Sequence, residues 1–301
     1  MRVLLTGGSG FIGSWIIRRL LARGIEVRVL DLADDRRLLR KLLGNGAETL
    51  DWRIGDVADF ATVEAATKGC DHVLHLAALL ANTCRDEPLR GARVNLGGTL
   101  NVFEAARRLG LGGVTYMSTA GVFGPASATV PQPSTHYGAF KLACEGSARA
   151  YWQDHGLNSV GFRPTTIYGP GREVGLSAGP TLACGAAVRG EAYTLPFTGT
   201  VDLLYVDDVA AIFEAALLAA PQGAHAFNLL GDVTAVQDVI AAIQGYVPGA
   251  RISAQGPVLP IHPRIAPDGL AQYFSGLVRT PLATGLAKTI EYYRGGESWR
   301  G

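Results

Sequence analysis

Three observations predict an α/β fold built on a doubly wound parallel sheet. A buried strand, a glycine turn and an amphipathic helix open the chain; strand and helix then alternate as far as about residue 168; and the early apolar runs are short, as strands covered on both faces require. Val3-Leu4-Leu5 is the first strand, and Gly7, Gly10 and Gly13 follow at three-residue steps. Ile16, Ile17, Leu20 and Leu21 then recur at helical spacing, with Arg18, Arg19 and Arg23 on the wet side. Glycines let the backbone turn sharply and approach a pyrophosphate, whose charge is met by unpaired N–H groups of the helix start, at Phe11, Ile12 and Gly13. Strand, turn and helix in that order form the phosphate-binding unit of a Rossmann-type dinucleotide fold.

The later elements follow in order. Residues 26–32 form a second strand carrying Asp31, 18 positions beyond Gly13 and close to the ~20-residue offset of an acid that accepts ribose hydroxyls. A carboxylate there repels a 2′-phosphate and favours NAD over NADP; the nearby Arg36 and Arg37 count the other way. Residues 52–55 form a third strand, followed by Asp56-Val57, and 71–77 a fourth. Leu96, Leu100, Val102, Phe103 and Ala106 place a helix over 95–109. A fifth strand at 113–118, a long helix at 137–155 and a sixth strand at 159–163 complete the alternation. Beyond Gly169 the pattern loosens around Pro170, Pro180 and Pro196, with one apolar helix at 181–188. A strand at 203–206, a helix at 207–220 capped by Asp207 or Asp208, a strand at 227–230, a loop-rich stretch at 249–276 and a helix at 282–294 end the chain. The expected division is a dinucleotide domain over 1–168, with 201–230 returning to it. A smaller, discontinuous C-terminal substrate lobe takes 169–200 and 231–301.

With 301 residues, 48% apolar and 18% charged, the chain can bury a large core. A net charge of +1 provides no field for gathering nucleic acid or anionic lipid, so neither is an expected partner. No run approaches the ~20 apolar residues of a membrane span. The first residues already form a strand, leaving no room for a signal peptide, and the expected location is the cytoplasm. Cys70, Cys84, Cys144 and Cys184 lack C-x-x-C spacing and read as buried reduced thiols. His72 and His75 fall on opposite faces of one strand, a poor chelate, so no metal is assigned.

Tyr137 and Lys141 form Y-x-x-x-K, which on a helix puts both side chains on one face. A free phenol titrates near ~10. A neighbouring cation, with an oxidised nicotinamide adding charge, favours the phenolate and is expected to lower that value, so that Tyr137 can take a proton from an alcohol. The chain has ten tyrosines but only four lysines, at 41, 68, 141 and 288, so the pairing is not expected by chance. Thr119 ends the fifth strand, where its hydroxyl can donate to a substrate oxygen; the adjacent Ser118 points the other way if the strand persists. His136 is a candidate second acid–base group, and Tyr193 and Phe197 are candidates to close over substrate.

TGGSGFIGS (6–14), Asp31, GDV (55–57), HLAA (75–78), VNLGGTLNVFEAA (94–106), YMSTAGVFG (116–124), YGAFKLACE (137–145), RPTTIYGPGR (163–172) and LYVDDVA (204–210) resemble, in order, the extended short-chain dehydrogenases/reductases. More narrowly they are similar to the NAD-dependent epimerase/dehydratase branch. The resemblance implies that Asp56 and Val57 hold the adenine, and that Leu76, Ala77 and Ala78 line the ribose and nicotinamide side. It implies too that Asn95 supports the nicotinamide end and that the backbone from Pro164 to Thr166 faces the nicotinamide amide. Thr119, Tyr137 and Lys141 take the family's catalytic roles, and a homodimer through the helices at 95–109 and 137–155 is the family's common assembly.

The departures bear on substrate. Dehydratases of this branch carry Asp-Glu directly after the Thr, where this chain has Ala120-Gly121, so water elimination is not expected. Nucleotide-sugar epimerases typically have Asn where Thr166 stands and an Arg where Val201 stands; that arginine grips a diphosphate, and valine cannot. Arg172 or Arg189 could supply charge instead, Leu79, Leu80 and Ala81 make an apolar wall, and Leu80, Thr119, Thr166 and Arg172 are the candidate substrate contacts. The expected function is an NAD-dependent oxidoreductase acting on a secondary alcohol or ketone of a small sugar, polyol or hydroxy acid. The alternatives are an epimerase that transiently oxidises and re-reduces its substrate on tightly bound NAD, and a non-catalytic redox-sensing or scaffold protein.

Overall fold

The glycine turn sits at the centre of a seven-stranded parallel sheet in this computed structural model, which describes residues 1–296; the last five positions of the expected lobe, 297–301, lie outside the described residues. The chain runs β1 (Arg2–Thr6), α1 (Phe11–Ala22), β2 (Glu26–Asp31), α2 (Arg37–Leu43), β3 (Asp51–Ile54), α3 (Phe60–Thr67) and β4 (His72–His75). Two short turns of helix, α4 (Ala81–Asp86) and α5 (Pro88–Gly91), lead to α6 (Gly98–Arg108), β5 (Val114–Met117), α7 (His136–His155) and β6 (Ser159–Pro164). Then come β7 (Thr166–Tyr168), α8 (Gly179–Arg189), β8 (Tyr193–Leu195), β9 (Thr200–Tyr205), α9 (Val206–Ala219) and β10 (Ala224–Leu229). The chain closes with β11 (Asp232–Ala235), α10 (Val236–Tyr246), β12 (Ile252–Ala254), α11 (Leu270–Tyr273) and α12 (Leu282–Gly295).

The main sheet has the order β3-β2-β1-β4-β5-β6-β10, every pair parallel. This is the Rossmann-type doubly wound sheet, and its strand order reverses between β1 and β4, which opens a crevice at their C-terminal ends. Alternation along β1 divides the interior: Val3 and Leu5 face a core with Ile16, Ile17 and Leu20, while Leu4 faces Val73, Val102 and Phe103 on the other side. α9 packs beside α1, where Arg19 binds Asp207 at 3.0 Å and Glu214 at 2.7 Å.

Several segments differ from expectation for identifiable reasons. The helix expected from 95 is preceded by a wider π-type turn over Ala92–Gly97, where the Asn95 carbonyl accepts the Thr99 hydroxyl at 2.6 Å and the Cys144 thiol at 3.4 Å. Neither Asp207 nor Asp208 caps α9: Tyr205 holds that position without a side-chain bond, and Asp208 instead accepts the Thr280 N–H and hydroxyl. Of the segment 201–230, β10 lies beside β6 in the main sheet, whereas β9 pairs with β7 and β11 in a separate three-stranded sheet. All four cysteines are free and buried.

Both histidines of β4 are buried, on opposite faces. His72 shares a hydrogen bond with Thr115 at 3.0 Å; His75 bridges Thr6 at 2.7 Å and Thr99 at 3.0 Å. Burial lowers their pKa values to about 4 and about 3, with Lys141 contributing at His75. Below their unfolded value of 6.5 the unfolded chain binds protons that the folded chain refuses. Stability should therefore fall as pH falls from 6.5 towards 4, by about 1.4 kcal/mol per pH unit for each histidine. Urea denaturation between pH 7 and pH 5 reads this slope, and His72→Gln should flatten it by one histidine's share; an unchanged slope in that variant contradicts the assignment.

Candidate active site

The turn after β1 is shaped for a close visitor. Gly7 (φ +79°) donates to the Leu30 carbonyl at 3.0 Å, and a Cβ on it would lie 2.8 Å from the Ala77 nitrogen. A Cβ on Gly13 would lie 2.3 Å from the Gly7 carbonyl oxygen. α1 starts at Gly10 with no side-chain cap, and its first intrahelical bond is Ser14 N–H to Gly10. The N–H groups of Phe11, Ile12 and Gly13 thus open into the crevice unused by the helix.

Asp31 ends β2 beside this turn, its Oδ2 accepting from the Ser9 N–H at 2.9 Å and hydroxyl at 2.6 Å, its Oδ1 from the Leu32 N–H. Arg36 forks onto Asp34 and stacks on Trp52 at 4.9 Å, and Arg37 forks onto Asp35, so both arginines are neutralised locally. A glycine cradle that a Cβ would fill, facing an acid with no competing arginine, fits NAD. Asp56 accepts the Ala58 N–H at 2.9 Å, and Val57 is buried against Gly98. Leu76 and Ala77 donate to the backbone and hydroxyl of Thr6, which holds the segment leading to Ala78 along the glycine turn. Asn95 is fully buried and grips Leu79 in both directions, at 2.7 and 3.0 Å, with Cys84 at 3.3 Å, so it acts on the wall that carries Leu80.

α7 brings the next residues to the same crevice. Its N-terminus is capped by the Thr135 hydroxyl, which accepts the Gly138 N–H at 3.0 Å. Lys141 is buried, donates to the Met117 carbonyl at 2.7 Å and lies 5.9 Å from the Tyr137 ring centre; burial lowers its pKa. Lys141 by itself does not depress the pKa of Tyr137. Burial pushes its phenol up to about 12, Cys84 and Cys144 add to the rise, and the Arg172 guanidinium opposes it. Desolvation prevails because the ammonium is spent on a carbonyl of β5 and protein surrounds much of the half-buried phenol.

Thr119 follows β5, nearly buried; its oxygen accepts the Gly121 N–H at 3.1 Å, leaving its own proton without an acceptor among the described residues. Ser118 points to the opposite side and donates to Glu145 at 2.5 Å. Glu145 in turn holds Arg163 through two bonds of 2.8 and 2.6 Å, a buried pair that sequence reading passed over. Its position four residues after Lys141 and eight after Tyr137 was the available signal, since those spacings share a helix face.

His136 is exposed and stacked on Phe140, and Phe197 lies in the core beside Gly179, so it cannot close over a substrate. Tyr193 is partly buried on β8. Arg189 is exposed and paired with Glu191, leaving Arg172 as the arginine of the two that reaches Tyr137. Pro164 ends β6 paired with Leu229, and Thr166 is buried in β7.

No periodicity or motif announced the strap at 256–266. The Thr198 N–H and hydroxyl bind its start at Pro257 and Gly256, while His262 and Ala266 donate to the carbonyls of Gly124 and Ala128. Ile265 and Ile261 pack on Ala120, Val122 and Phe123, directly after Thr119. Between the strap and Thr165, Thr166, Val201 and Asp202 there remains a cavity of about 10 Å³, room for one water. Asp202 accepts the Gly231 N–H at 2.7 Å, and burial raises its pKa to about 6.

Comparison with known proteins agrees with this geometry. Residues 3–229 match the family model described as "NAD dependent epimerase/dehydratase family". The UDP-glucose 4-epimerase of Mycolicibacterium smegmatis is 30% identical over 318 residues, covering 98% of this chain and 99% of its own. The structure of the Thermus thermophilus UDP-glucose 4-epimerase in complex with NAD superposes with a TM-score of 0.82 at 31% identity, covering 98% and 100%. A GalE-like L-threonine dehydrogenase from Cupriavidus necator, in its holo form, gives a TM-score of 0.86 at 25% identity, covering 97% and 99%.

Gly13→Ala should weaken NADH binding by about tenfold or more, because the turn must open to relieve the contact with Gly7. Fluorescence titration with NADH measures it, beside a thermal melt to separate binding from folding; wild-type affinity in a folded variant would refute the cradle.

Proposed function

The chain belongs to the NAD dependent epimerase/dehydratase family, an NAD-dependent enzyme family, and we propose that it oxidises or reduces a small secondary alcohol or ketone with Tyr137 as proton carrier, Thr119 as substrate anchor and Lys141 as positioning cation. This reading is supported by the glycine turn where the sheet order reverses, by Lys141 lying 5.9 Å from the Tyr137 ring centre, and by Thr119 beside Gly121, whose carbonyl packs close against Gly138 of α7. Bound NAD supplies the acceptor for the substrate's hydride and, when oxidised, a positive charge in the cleft.

Gly7, Gly10, Phe11, Ile12, Gly13 and Asp31 would hold the cofactor's phosphates and adenosine ribose, Asp56 and Val57 its adenine side, and Leu76, Ala77, Ala78, Pro164 and Thr166 its nicotinamide half. Thr119 donates to the substrate oxygen with the proton it leaves unused. Tyr137, a protonated phenol in its buried setting, delivers its proton to a carbonyl oxygen in reduction. In oxidation it must first be a phenolate, and then receives the hydroxyl proton. Lys141 ties α7 to β5 through Met117, which fixes where the phenol stands.

A small substrate is supported by Val201, a buried valine where nucleotide-sugar epimerases carry a diphosphate-gripping arginine. The epimerase alternative uses the same residues and is favoured by the Mycolicibacterium relative and the NAD complex, both UDP-glucose 4-epimerases. The L-threonine dehydrogenase likeness favours net oxidation. Absorbance at the reduced-nicotinamide band, with a panel of alcohols and hydroxy acids, distinguishes them: free NADH accumulates only in net oxidation. Tyr137→Phe should lower turnover by about 10² to 10⁴, and wild-type oxidation should rise with pH through the neutral range. Unchanged turnover in that variant would remove the mechanism.

The homodimer also belongs to this proposal. α6 and α7 leave an open groove of about 370 Å³ lined by Leu100, Arg107, Ala150 and Tyr151, where a second copy would seat. Sedimentation at micromolar concentration should show a dimer that Ala150→Arg dissociates; a monomeric wild type contradicts it. A cytoplasmic location is proposed on the four buried thiols, which suit a reducing compartment.

A further inference from the structure

Arg172 stands apart from the paired arginines of this chain. Arg19, Arg28, Arg36, Arg107 and Arg163 each meet a carboxylate at close range. Arg172 donates only to neutral oxygens, the Ile167 carbonyl and the Ser177 hydroxyl (2.8 Å), and no acidic side chain pairs with it among the described residues. It lies 6.0 Å from the centre of the Phe11 ring, at the mouth of the glycine turn, and its charge is felt at Tyr137. The site for a Cβ on Gly175 is 3.6 Å from its Nη2 and 3.8 Å from Leu80 Cδ1, so the guanidinium and the apolar wall meet across this loop. A guanidinium stays charged in a protein, and this half-buried one, with no carboxylate beside it, is open to an anion.

We propose that Arg172 binds a carboxylate of the substrate, which makes the substrate class small hydroxy acids, hydroxy amino acids included, and not neutral sugars or polyols. The proposal rests on Tyr137 being the proton carrier: the guanidinium stands by Phe11 at the glycine turn and across Gly175 from Leu80, and its charge opposes the rise of the Tyr137 pKa, so a carboxylate on it and an alcohol at the phenol can belong to one small molecule. Leu80 then covers the carbon chain and excludes water from the charge pair.

The test uses the full chain loaded with NADH or NAD, with lactate, 3-hydroxybutyrate and L-threonine each set against its methyl ester. Calorimetric titration reads affinity, and the nicotinamide band reads kcat/KM. At least one acid should surpass its ester by about tenfold or more, and Arg172→Gln should erase that preference. Ser177→Ala, which loosens the loop but keeps the charge, should retain it. No acid preference in the wild type, or a preference that survives Arg172→Gln, overturns the proposal. So does a weakened NADH affinity in Arg172→Gln with the preference intact, which would assign the guanidinium to the cofactor's diphosphate. Loss of turnover in Tyr137→Phe with acid binding preserved separates this proposal from the proton-carrier reading: if Tyr137→Phe turns over normally while Arg172→Gln loses its preference, the proton-carrier reading falls and the carboxylate assignment to Arg172 stands.

Discussion

The placement of every reacting group depends on the buried pair between Glu145 and Arg163. Glu145 is on α7 and Arg163 on β6, and with Ser118 they form a bonded triad beneath the crevice. Removing one member of such a pair leaves an uncompensated charge in the interior, at a cost of about 3–5 kcal/mol. Its value here is geometric: two fork bonds to a strand fix the rotation of α7 about its axis. One turn earlier on the helix, Lys141 adds a second tie, to Met117 on β5. Tyr137, a further turn back, therefore has little freedom to choose where its hydroxyl points.

The same dryness that makes these ties rigid governs the chemistry. Burial lifts the phenol of Tyr137 and lowers Lys141, so each group is held towards its neutral form until other charge enters the cleft. Arg172 is the protein's own contribution in that direction. The strap packs Ile261 and Ile265 on Ala120, Val122 and Phe123, directly after Thr119, while Leu80 stays exposed at the edge of the cleft.

The small lobe is fastened to this arrangement in several places. Asp208 holds Thr280, Asp232 holds the start of α12 through Leu282, and Asp268 holds the backbone of Asn228 on β10. These acids are distant in sequence from their partners, so Asp208 was legible only as a candidate helix cap and none of the three pairings could be read locally. The apolar face of α10, with Val236, Val239, Ile240 and Ile243, was by contrast plain in its spacing and simply unread.

The sequence by itself determined the sheet, the glycine turn, the acid after β2 and the shared face of Tyr137 and Lys141. These are local: each rests on a period of two or 3.6, or on a residue whose backbone freedom is visible in its name. Only the tertiary structure decided that Lys141 donates to a strand carbonyl, that Phe197 belongs to the core, that the strap at 256–266 packs on the residues after Thr119, and that Arg172 has no acid beside it among the described residues. Desolvation and pairing depend on what other segments bring within a few ångströms, and that information lies in chain separations of tens to hundreds of residues, beyond the reach of any local pattern.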